Sequence, residues 1–281
     1  MKNMSQSTDP QFPPHENTPL ITTAQPGSAY LLESITGEEI SSNLKPLDKI
    51  NGYDVRPGFY EVNGASALPG GVNFTLASHG ATSCELLLFH RKSSEPFASI
   101  PFPEHYRIGN VFSMIVFGLK IDEFEYAYRL DGPYQPEKGL IYDKTKYILD
   151  PYAKAVTGQS EWGIHLPCTQ NCQYKSRVVR NNFDWGNSKQ PLIPMKDNII
   201  YELHVRGFTR HSSSGVHNPG TFAGLMEKIP YLKELGINAV ELMPIFEFDE
   251  MNGCREVNGR KMLDYWGYNP VCFFAPNNSY N

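Results

Sequence analysis

The segment LDYWGYNPVCFFAPNNSYN, at residues 263–281, contains the residue types best suited to binding a ligand. It is rich in aromatic side chains, whose flat ring faces can stack against apolar ligand surfaces. Upstream of it, Glu247, Asp249 and Glu250 carry carboxylate oxygens, and Asn277 adds an amide oxygen. Oxygen atoms of this kind can bind calcium, but we expect a solvated acidic loop here and no metal site.

The elements that would hold these residues begin after Asp197. The run NIIYELHV is apolar almost throughout, which is typical of a parallel strand covered on both faces. His204 lies in this run, and we expect it to be a satisfied buried histidine rather than a ligand. A loop, GFTRHSSSGVHNPG, then leads to TFAGLMEKIPYLKELG, whose apolar positions keep to one helical stripe. Thr221 suits the N-cap, Gly236 suits the C′ position, and Pro230 restarts or kinks the helix.

A second apolar strand, INAVELMPI, follows this helix, and Ala239 and Val240 are predicted to be buried in it. Strand, helix and strand in this order form a βαβ unit, and its right-handed crossover places the two strands parallel. Two parallel strands with one helix leave a strand edge and an apolar face uncovered. We therefore expect the sheet to continue in residues beyond this chain.

Short apolar runs separated by Gly, Pro, Asn and Ser precede this region. GVNFTLAS places Val72 and Phe74 on one face, and FEYAYRLDG does the same with Tyr126 and Tyr128. SCELLLFHR and VFSMIVFGL are predicted to be further strands. Strands this short at this spacing predict an immunoglobulin-like, all-β sandwich over residues 51–158.

Two other regions lack a regular pattern. Residues 1–50 are rich in Ser, Thr, Pro, Asn and Glu and are predicted to be a flexible N-terminal segment. Residues 159–196 are interrupted by prolines and are predicted to be a connector without secondary structure. We expect packing of Tyr152, Phe183 and Trp185 to order this connector.

Composition excludes several classes of partner. The 25 basic and 30 acidic residues give a net charge of -5, and no run of Lys or Arg could neutralise a phosphate backbone, so we expect no nucleic acid partner. No apolar stretch approaches the roughly 20 residues that span a bilayer, and the N-terminus lacks the apolar core of a secretory signal. We therefore predict a cytoplasmic protein without a membrane partner.

The cysteines are expected to be reduced structural thiols, the alternatives being a disulfide or a zinc site. They are Cys84, Cys168, Cys172, Cys254 and Cys272.

Three separated segments carry a resemblance to a known family, in the family's order. Residues 198–250 resemble the opening of the catalytic barrel in isoamylase-type glycogen and starch debranching enzymes, of glycoside hydrolase family 13 in the α-amylase superfamily. DYWGYNPVCFFAPNNSY resembles the loop after the second barrel strand. Upstream, LPGGVNFTLASHGATSCELLLF, YRLDGPYQPEKGLIYDKTKYILDPYAKAV and FDWG are similar to that family's N-terminal β-sandwich, a carbohydrate-binding module of family 48, and its connector. Arg206, Gly207 and Phe208 match the isoamylase and glycogen-debranching pattern.

This resemblance implies that residues 197–281 form the truncated first βα units of a TIM (β/α)8 barrel. It also implies cleavage of α-1,6 branch linkages in glycogen, starch or limit dextrin by a retaining mechanism, in which one carboxylate attacks the anomeric carbon and a second protonates the leaving oxygen. The family's catalytic carboxylates follow later barrel strands, and the acidic residues of the βαβ region match none of those motifs. They are Glu202, Glu241, Glu247, Asp249 and Glu250.

No catalytic residue and no cofactor is therefore carried over, and the 281-residue chain alone is expected to be inactive. Alternatives within the superfamily are a branching enzyme and a trehalose-releasing hydrolase. An alternative of another class is a non-catalytic glucan-binding or partner-binding protein that uses the β-sandwich.

The resemblance also names substrate-binding candidates. Tyr268 matches the family tyrosine that stacks on the sugar ring being cleaved, and packing of the loop is its alternative role. Trp266 and Asn269 complete the predicted set, although we expect Trp266 and Tyr265 to be packing residues rather than sugar contacts, and many relatives have Asp where Asn269 stands. The sandwich contains tyrosines that could serve as a second glucan platform, unless the domain only packs against the barrel. They are Tyr53, Tyr60, Tyr106 and Tyr134.

Overall fold

The computed structural model describes residues 44–157, 161–164, 174–180 and 182–281. The predicted flexibility of residues 1–43 and the predicted thiol state of Cys168 and Cys172 lie outside these ranges. At the end of the segment predicted to be flexible, Asp48–Ile50 form a strand that pairs with Tyr53–Val55, so the prediction is wrong for these residues. The first strands are β1 (Asp48–Ile50), β2 (Tyr53–Pro57), β3 (Gly64–Leu68), β4 (Gly71–Ala77), β5 (Ser83–His90), β6 (Pro96–Pro101), β7 (Arg107–Ile108), β8 (Val111–Phe117), β9 (Phe124–Asp131), β10 (Tyr134–Gln135), β11 (Leu140–Ile141), β12 (Ala155–Thr157) and β13 (Lys175–Arg177).

The remaining elements follow the connector. They are β14 (Ile200–Leu203), α1 (Val205–Arg210), α2 (Phe222–Glu227), α3 (Ile229–Glu234), β15 (Ala239–Leu242), β16 (Phe246–Phe248), β17 (Arg255–Val257), β18 (Arg260–Met262) and β19 (Pro270–Pro276).

Two antiparallel sheets form the first part of the chain, as the alternating sequence pattern predicts. One sheet has the order β1-β2-β8-β4-β3, with β7 also paired to β8, and the other has the order β12-β13-β9-β5-β6. The four runs predicted to be strands are β4, β5, β8 and β9, and they form the centres of the two sheets. The predicted β-sandwich is confirmed.

The sandwich core lies between the sheets, where alternate side chains of each central strand meet. Phe74 of β4 is fully buried and packs edge-to-face on Tyr126 of β9, with ring centroids 5.2 Å apart. Tyr126 and Tyr128 belong to the same core cluster, whereas Ala127 points to the opposite face of the sheet. The predicted division of β9 into two faces is therefore correct.

One carboxyl group is buried beside this core. Asp150 is fully buried, its Oδ2 accepts a hydrogen bond from the Tyr126 hydroxyl (2.7 Å) and its Oδ1 accepts one from the Tyr152 backbone N–H (2.9 Å). Burial raises the pKa of Asp150 to about 6, although both hydrogen bonds act to lower that pKa. The sandwich thus contains an acid that titrates well above the usual range of an aspartate.

The connector differs from its prediction in two ways. Part of it is strand β13, where Ser176 pairs with Tyr126 and Lys175 forms a salt bridge with Glu125 at 2.9 Å, so the sandwich extends past its predicted end at residue 158. Among the described rings, Phe183 and Trp185 contact only each other, edge-to-face at 4.9 Å, and they remain 71% and 72% exposed. Packing of these two rings therefore does not order the connector, and that prediction is wrong.

The predicted βαβ unit is present. β14 and β15 pair in parallel, from Ile200 opposite Ala239 to Leu203 opposite Leu242. Thr221 caps α2 by accepting a hydrogen bond from the Gly224 N–H at 3.1 Å, as predicted. The single predicted helix is divided into α2 and α3, because Pro230 at the start of α3 has no N–H to continue the helical ladder.

Two predictions about the first strand and its partner are wrong. His204 does not lie on the strand: β14 ends at Leu203, and His204 is the N-cap of helix α1, which occupies part of the predicted loop. Val240 is 42% exposed and Ala239 is half-buried, although these neighbours point to opposite faces of the two-stranded sheet, so neither face is fully covered by the described residues.

Strands β16 and β19 pair with each other and bring the end of the chain against the sandwich. The Cys272 thiol on β19 donates to the Ala153 carbonyl at 3.2 Å, and the Asn278 side chain donates to the Val156 carbonyl at 3.0 Å. Tyr152, just before β12, stacks on Phe274, with centroids 5.3 Å apart, so its predicted packing role is correct.

Three of the predicted thiols, Cys84, Cys254 and Cys272, are free. Across the described ranges, no helix has the length and apolar character needed to cross a bilayer.

Candidate functional site

The segment from Leu263 to Asn269 carries the predicted contact residues. It joins β18 to β19, so both of its ends are fixed by strands. Tyr268 is 66% exposed and Trp266 is 62% exposed, and their rings meet edge-to-face at 6.4 Å. Asn269 is also exposed. The three predicted residues thus lie together on one accessible loop.

Tyr265 holds the base of this loop. Its ring stacks on the His204 ring, at 4.2 Å and 9° between planes, and its carbonyl accepts a hydrogen bond from His204 Nε2 at 2.6 Å. Its predicted packing role is therefore correct. By contrast, Trp266 is 62% exposed beside Tyr268, so the packing role expected for Trp266 is wrong.

His204 is satisfied on both ring nitrogens. Nδ1 accepts the Gly207 N–H at 3.0 Å, so the ring proton resides on Nε2, which faces the Tyr265 carbonyl. Burial lowers the pKa of His204, which keeps the ring neutral at physiological pH. The prediction that His204 is structural rather than a ligand agrees with these contacts.

Two glycines allow the aromatic residues to approach the backbone. A Cβ on Gly207 would collide with the Tyr265 hydroxyl, so only glycine lets that ring lie over α1. Gly267 has φ +78°, and a Cβ there would lie 2.7 Å from the Phe248 ring. Gly267 therefore fixes the turn that presents Trp266 and Tyr268 on either side of it.

A buried aromatic cluster packs beneath the loop, and the sequence pattern did not predict its central residue. Trp162, from the connector, stacks on the fully buried Tyr280 at 5.9 Å and 14°. It also meets Phe248 at 5.8 Å and Tyr265 at 6.0 Å, and the Arg206 guanidinium lies 4.7 Å from its ring centroid. Trp162 is an isolated aromatic in an irregular segment, so only its size distinguishes it in the sequence.

The acidic residues near the loop are buried, which contradicts the expected solvated loop. Glu247, Glu250 and Asn277 are each at most 1% exposed. Glu247 Oε2 accepts two hydrogen bonds from Asn278, at 2.8 Å from its N–H and 2.9 Å from its side chain, and Glu250 Oε1 accepts the Gly163 N–H at 2.7 Å. The backbone folds over these carboxylates because they satisfy its N–H groups.

Burial raises the pKa of Glu247 to about 7 and also raises that of Glu250. The Glu250 charge adds to the rise in the pKa of Glu247, and the Asp249 charge adds to the rise in the pKa of Glu250. Within the described ranges, no group of three or more His, Cys, Asp or Glu residues is arranged to hold a metal ion. The arrangement is that of a structural acid pair beneath an aromatic contact loop.

On the sandwich, the four candidate tyrosines differ in exposure. Tyr106 is buried, and its hydroxyl donates to Asp48, so it offers no platform. Tyr53 packs against the core and Tyr60 is half-buried. Tyr134 is 70% exposed and is the one of the four with an accessible ring.

Comparison with known proteins gives consistent matches. The profile of Carbohydrate-binding module 48 (Isoamylase N-terminal domain) matches residues 62–153. A chloroplastic isoamylase of Zea mays, isoamylase SU1, is 39% identical over 220 residues, which are 76% of this chain and 28% of the relative. A glycogen debranching enzyme of Yersinia enterocolitica is 34% identical over 223 residues, which are 75% of this chain and 32% of the relative.

Solved structures match as well. Pullulanase type I from Bacillus subtilis, solved as a complex with maltose, is 26% identical with a TM-score of 0.56, covering 80% of this chain and 29% of that protein. The chain thus spans about a third or less of each of these proteins. The chain is related in sequence to the isoamylase-type debranching enzymes of glycoside hydrolase family 13 and matches their N-terminal region, and its residues 62–153 match the model of the carbohydrate-binding module of family 48.

Proposed function

We propose that the chain supplies a surface that contacts the glucan in an α-1,6-debranching glycoside hydrolase. The observation that carries this proposal is the exposed pair Trp266 and Tyr268, which lie together on the loop whose base Tyr265 holds. The relatives of the chain are named isoamylases and glycogen debranching enzymes. The βαβ unit formed by β14 and β15 would be the opening of the (β/α)8 barrel. The substrate would be a branched α-glucan such as glycogen, starch or limit dextrin.

Physical chemistry supports a stacking role for Tyr268. The C–H face of a pyranose is apolar and flat, so it stacks on an exposed aromatic ring and excludes water from both surfaces. The neighbouring Trp266 extends the aromatic surface, and the exposed Asn269 amide offers both a donor and an acceptor for sugar hydroxyls. Retaining hydrolysis also needs two carboxylates about 5 Å apart, and Glu247 and Glu250 do not suit that role because they are buried and bonded to backbone N–H groups.

Binding of maltotetraose to the chain tests the contact role. Tyr268→Ala is expected to weaken binding about tenfold, the loss of roughly one aromatic contact. Tyr134→Ala is the matched control, because Tyr134 is equally exposed but lies on the sandwich. Equal affinity of Tyr268→Ala and the parent would refute the stacking role.

Glucan binding by the sandwich is the second candidate, favoured by the family match at residues 62–153 and by the exposed ring of Tyr134. It predicts the reverse result, with glycogen co-sedimentation lost in Tyr134→Ala and kept in Tyr268→Ala. On either proposal, the chain alone should release no reducing ends from glycogen, and release by the purified chain would contradict the assignment of catalysis to other residues. Cytoplasmic location stays a prediction, and the plant relatives carry names that describe them as chloroplastic.

A further inference from the structure

Trp162 reaches the contact loop from a segment that belongs to the sandwich. The preceding strand β12 and the following strand β13 pair with each other, and β13 also pairs with β9. Trp162 is nonetheless half-buried among residues of the second part of the chain. The sandwich thus contributes one side chain to the underside of the loop that carries Tyr268.

The indole touches both supports of that loop. One support is Tyr265, which is fixed by its stack on His204 and by the hydrogen bond to its carbonyl. The other is Phe248, whose ring fills the space that a Cβ on Gly267 would occupy. Trp162 lies 6.0 Å from the first ring and 5.8 Å from the second, so it sets their separation.

Polar contacts fix the position of the indole itself. The Arg206 guanidinium lies 4.7 Å from the centroid of the Trp162 ring, a cation–π contact. The next residue, Gly163, donates its N–H to Glu250 at 2.7 Å. The Trp162 ring is therefore oriented by a charge beside it and by a backbone hydrogen bond one residue away.

We propose that Trp162 is a positioning residue for glucan recognition, which acts through Tyr265 and Phe248 to hold Trp266 and Tyr268 in their exposed arrangement. This inference rests on the proposed function of the same loop. It assigns to the sandwich a role in shaping the substrate contact that does not depend on glucan bound to the sandwich.

Fluorotryptophan labelling with 19F NMR tests the proposal, because the chain has three tryptophans, Trp162, Trp185 and Trp266, and each gives its own resonance. Replacement of each tryptophan by Phe assigns the three signals. In Trp162→Ala, the Trp266 resonance is expected to shift and broaden, while the urea unfolding transition of the sandwich stays unchanged. Trp185→Ala is the matched control, since Trp185 is exposed and contacts only Phe183 among the described rings, so it should leave the Trp266 resonance in place.

Titration with maltotetraose then separates positioning from simple stabilisation. Trp162→Ala is expected to raise the Kd about tenfold, and Trp162→Phe, which keeps an aromatic ring, to raise it by less. If Trp162→Ala does not fold, Trp162→Phe still decides the matter, because a smaller shift of the Trp266 resonance in the same direction is expected.

An unmoved Trp266 resonance in a folded Trp162 variant would overturn the positioning role, as would an equal shift in Trp185→Ala. Failure of the parent to bind maltotetraose would instead overturn the proposed function for this chain, and the resonance test would still give its own answer.

Discussion

Replacement of Asp150 by Asn should remove a pH-dependent loss of stability from the sandwich. The folded protein holds the Asp150 proton more tightly than the unfolded chain, because burial raises its pKa from 3.8 to about 6. Stability from this group is therefore fully present below pH 3.8 and is lost as the pH rises through about 6. The difference in pKa corresponds to roughly 3 kcal/mol of unfolding free energy.

Urea unfolding followed by circular dichroism between pH 4 and pH 7.5 measures this quantity. Across that range the parent should lose about 2 to 3 kcal/mol relative to Asp150→Asn, whose neutral amide can still accept the Tyr152 N–H through its oxygen. Asp122→Asn is the control, because Asp122 is exposed and its curve should run parallel to that of the parent. Parallel curves for the parent and Asp150→Asn would show that the carboxyl ionises normally and would refute the reasoning.

Three further predictions concern the loop and the core. Gly267→Ala should weaken maltotetraose binding and lower the thermal unfolding midpoint, because the new Cβ meets the Phe248 ring. Gly253 has a similar positive φ (+70°) with nothing within 4 Å, so Gly253→Ala is the control and should keep binding intact. Equal loss of binding in both variants would rule out the steric cause. The parent should lose unfolding free energy as the pH rises from 4.5 through about 7, and Glu247→Gln should not, as measured by urea unfolding at pH 5 and pH 8. The same difference between pH 5 and pH 8 in the parent and in the variant would contradict this prediction. Phe74→Ala should cost about 3 to 5 kcal/mol of unfolding free energy, and a loss under 1 kcal/mol would contradict its place in the core.

The central strands of the sandwich could be predicted because each buries alternate residues of a long run. Strand β13 could not, since its three residues, Lys175–Arg177, are polar and carry no alternation. It pairs with β9 at Tyr126, beside a salt bridge between Lys175 and Glu125, which are 50 residues apart in sequence. A local pattern does not contain a contact of that kind.

The exposed residues of the candidate site were predictable from a sequence motif, but the residues that pack beneath them were not. Tyr268 and Trp266 stand in DYWGYNP, whose resemblance to known relatives names them directly. The centre of the support, Trp162, lies about 100 residues earlier in a segment without periodicity. The burial of Glu247 was also not predicted, because a run of acidic residues normally indicates exposure to solvent. Here a backbone N–H group replaces water as the hydrogen-bond partner of its carboxylate.

The pairing of β12 with β13 has a consequence for how the family's sequences can diverge. Ala155 pairs with Arg177 and Thr157 with Lys175, so the segment that carries Trp162 leaves the sandwich and returns to it at adjacent points. For such an anchored loop, each doubling of length costs only roughly 0.6 kcal/mol of closure entropy. Insertions and deletions on either side of Trp162 should therefore be tolerated during evolution, provided that an aromatic ring of similar reach still arrives beneath the contact loop.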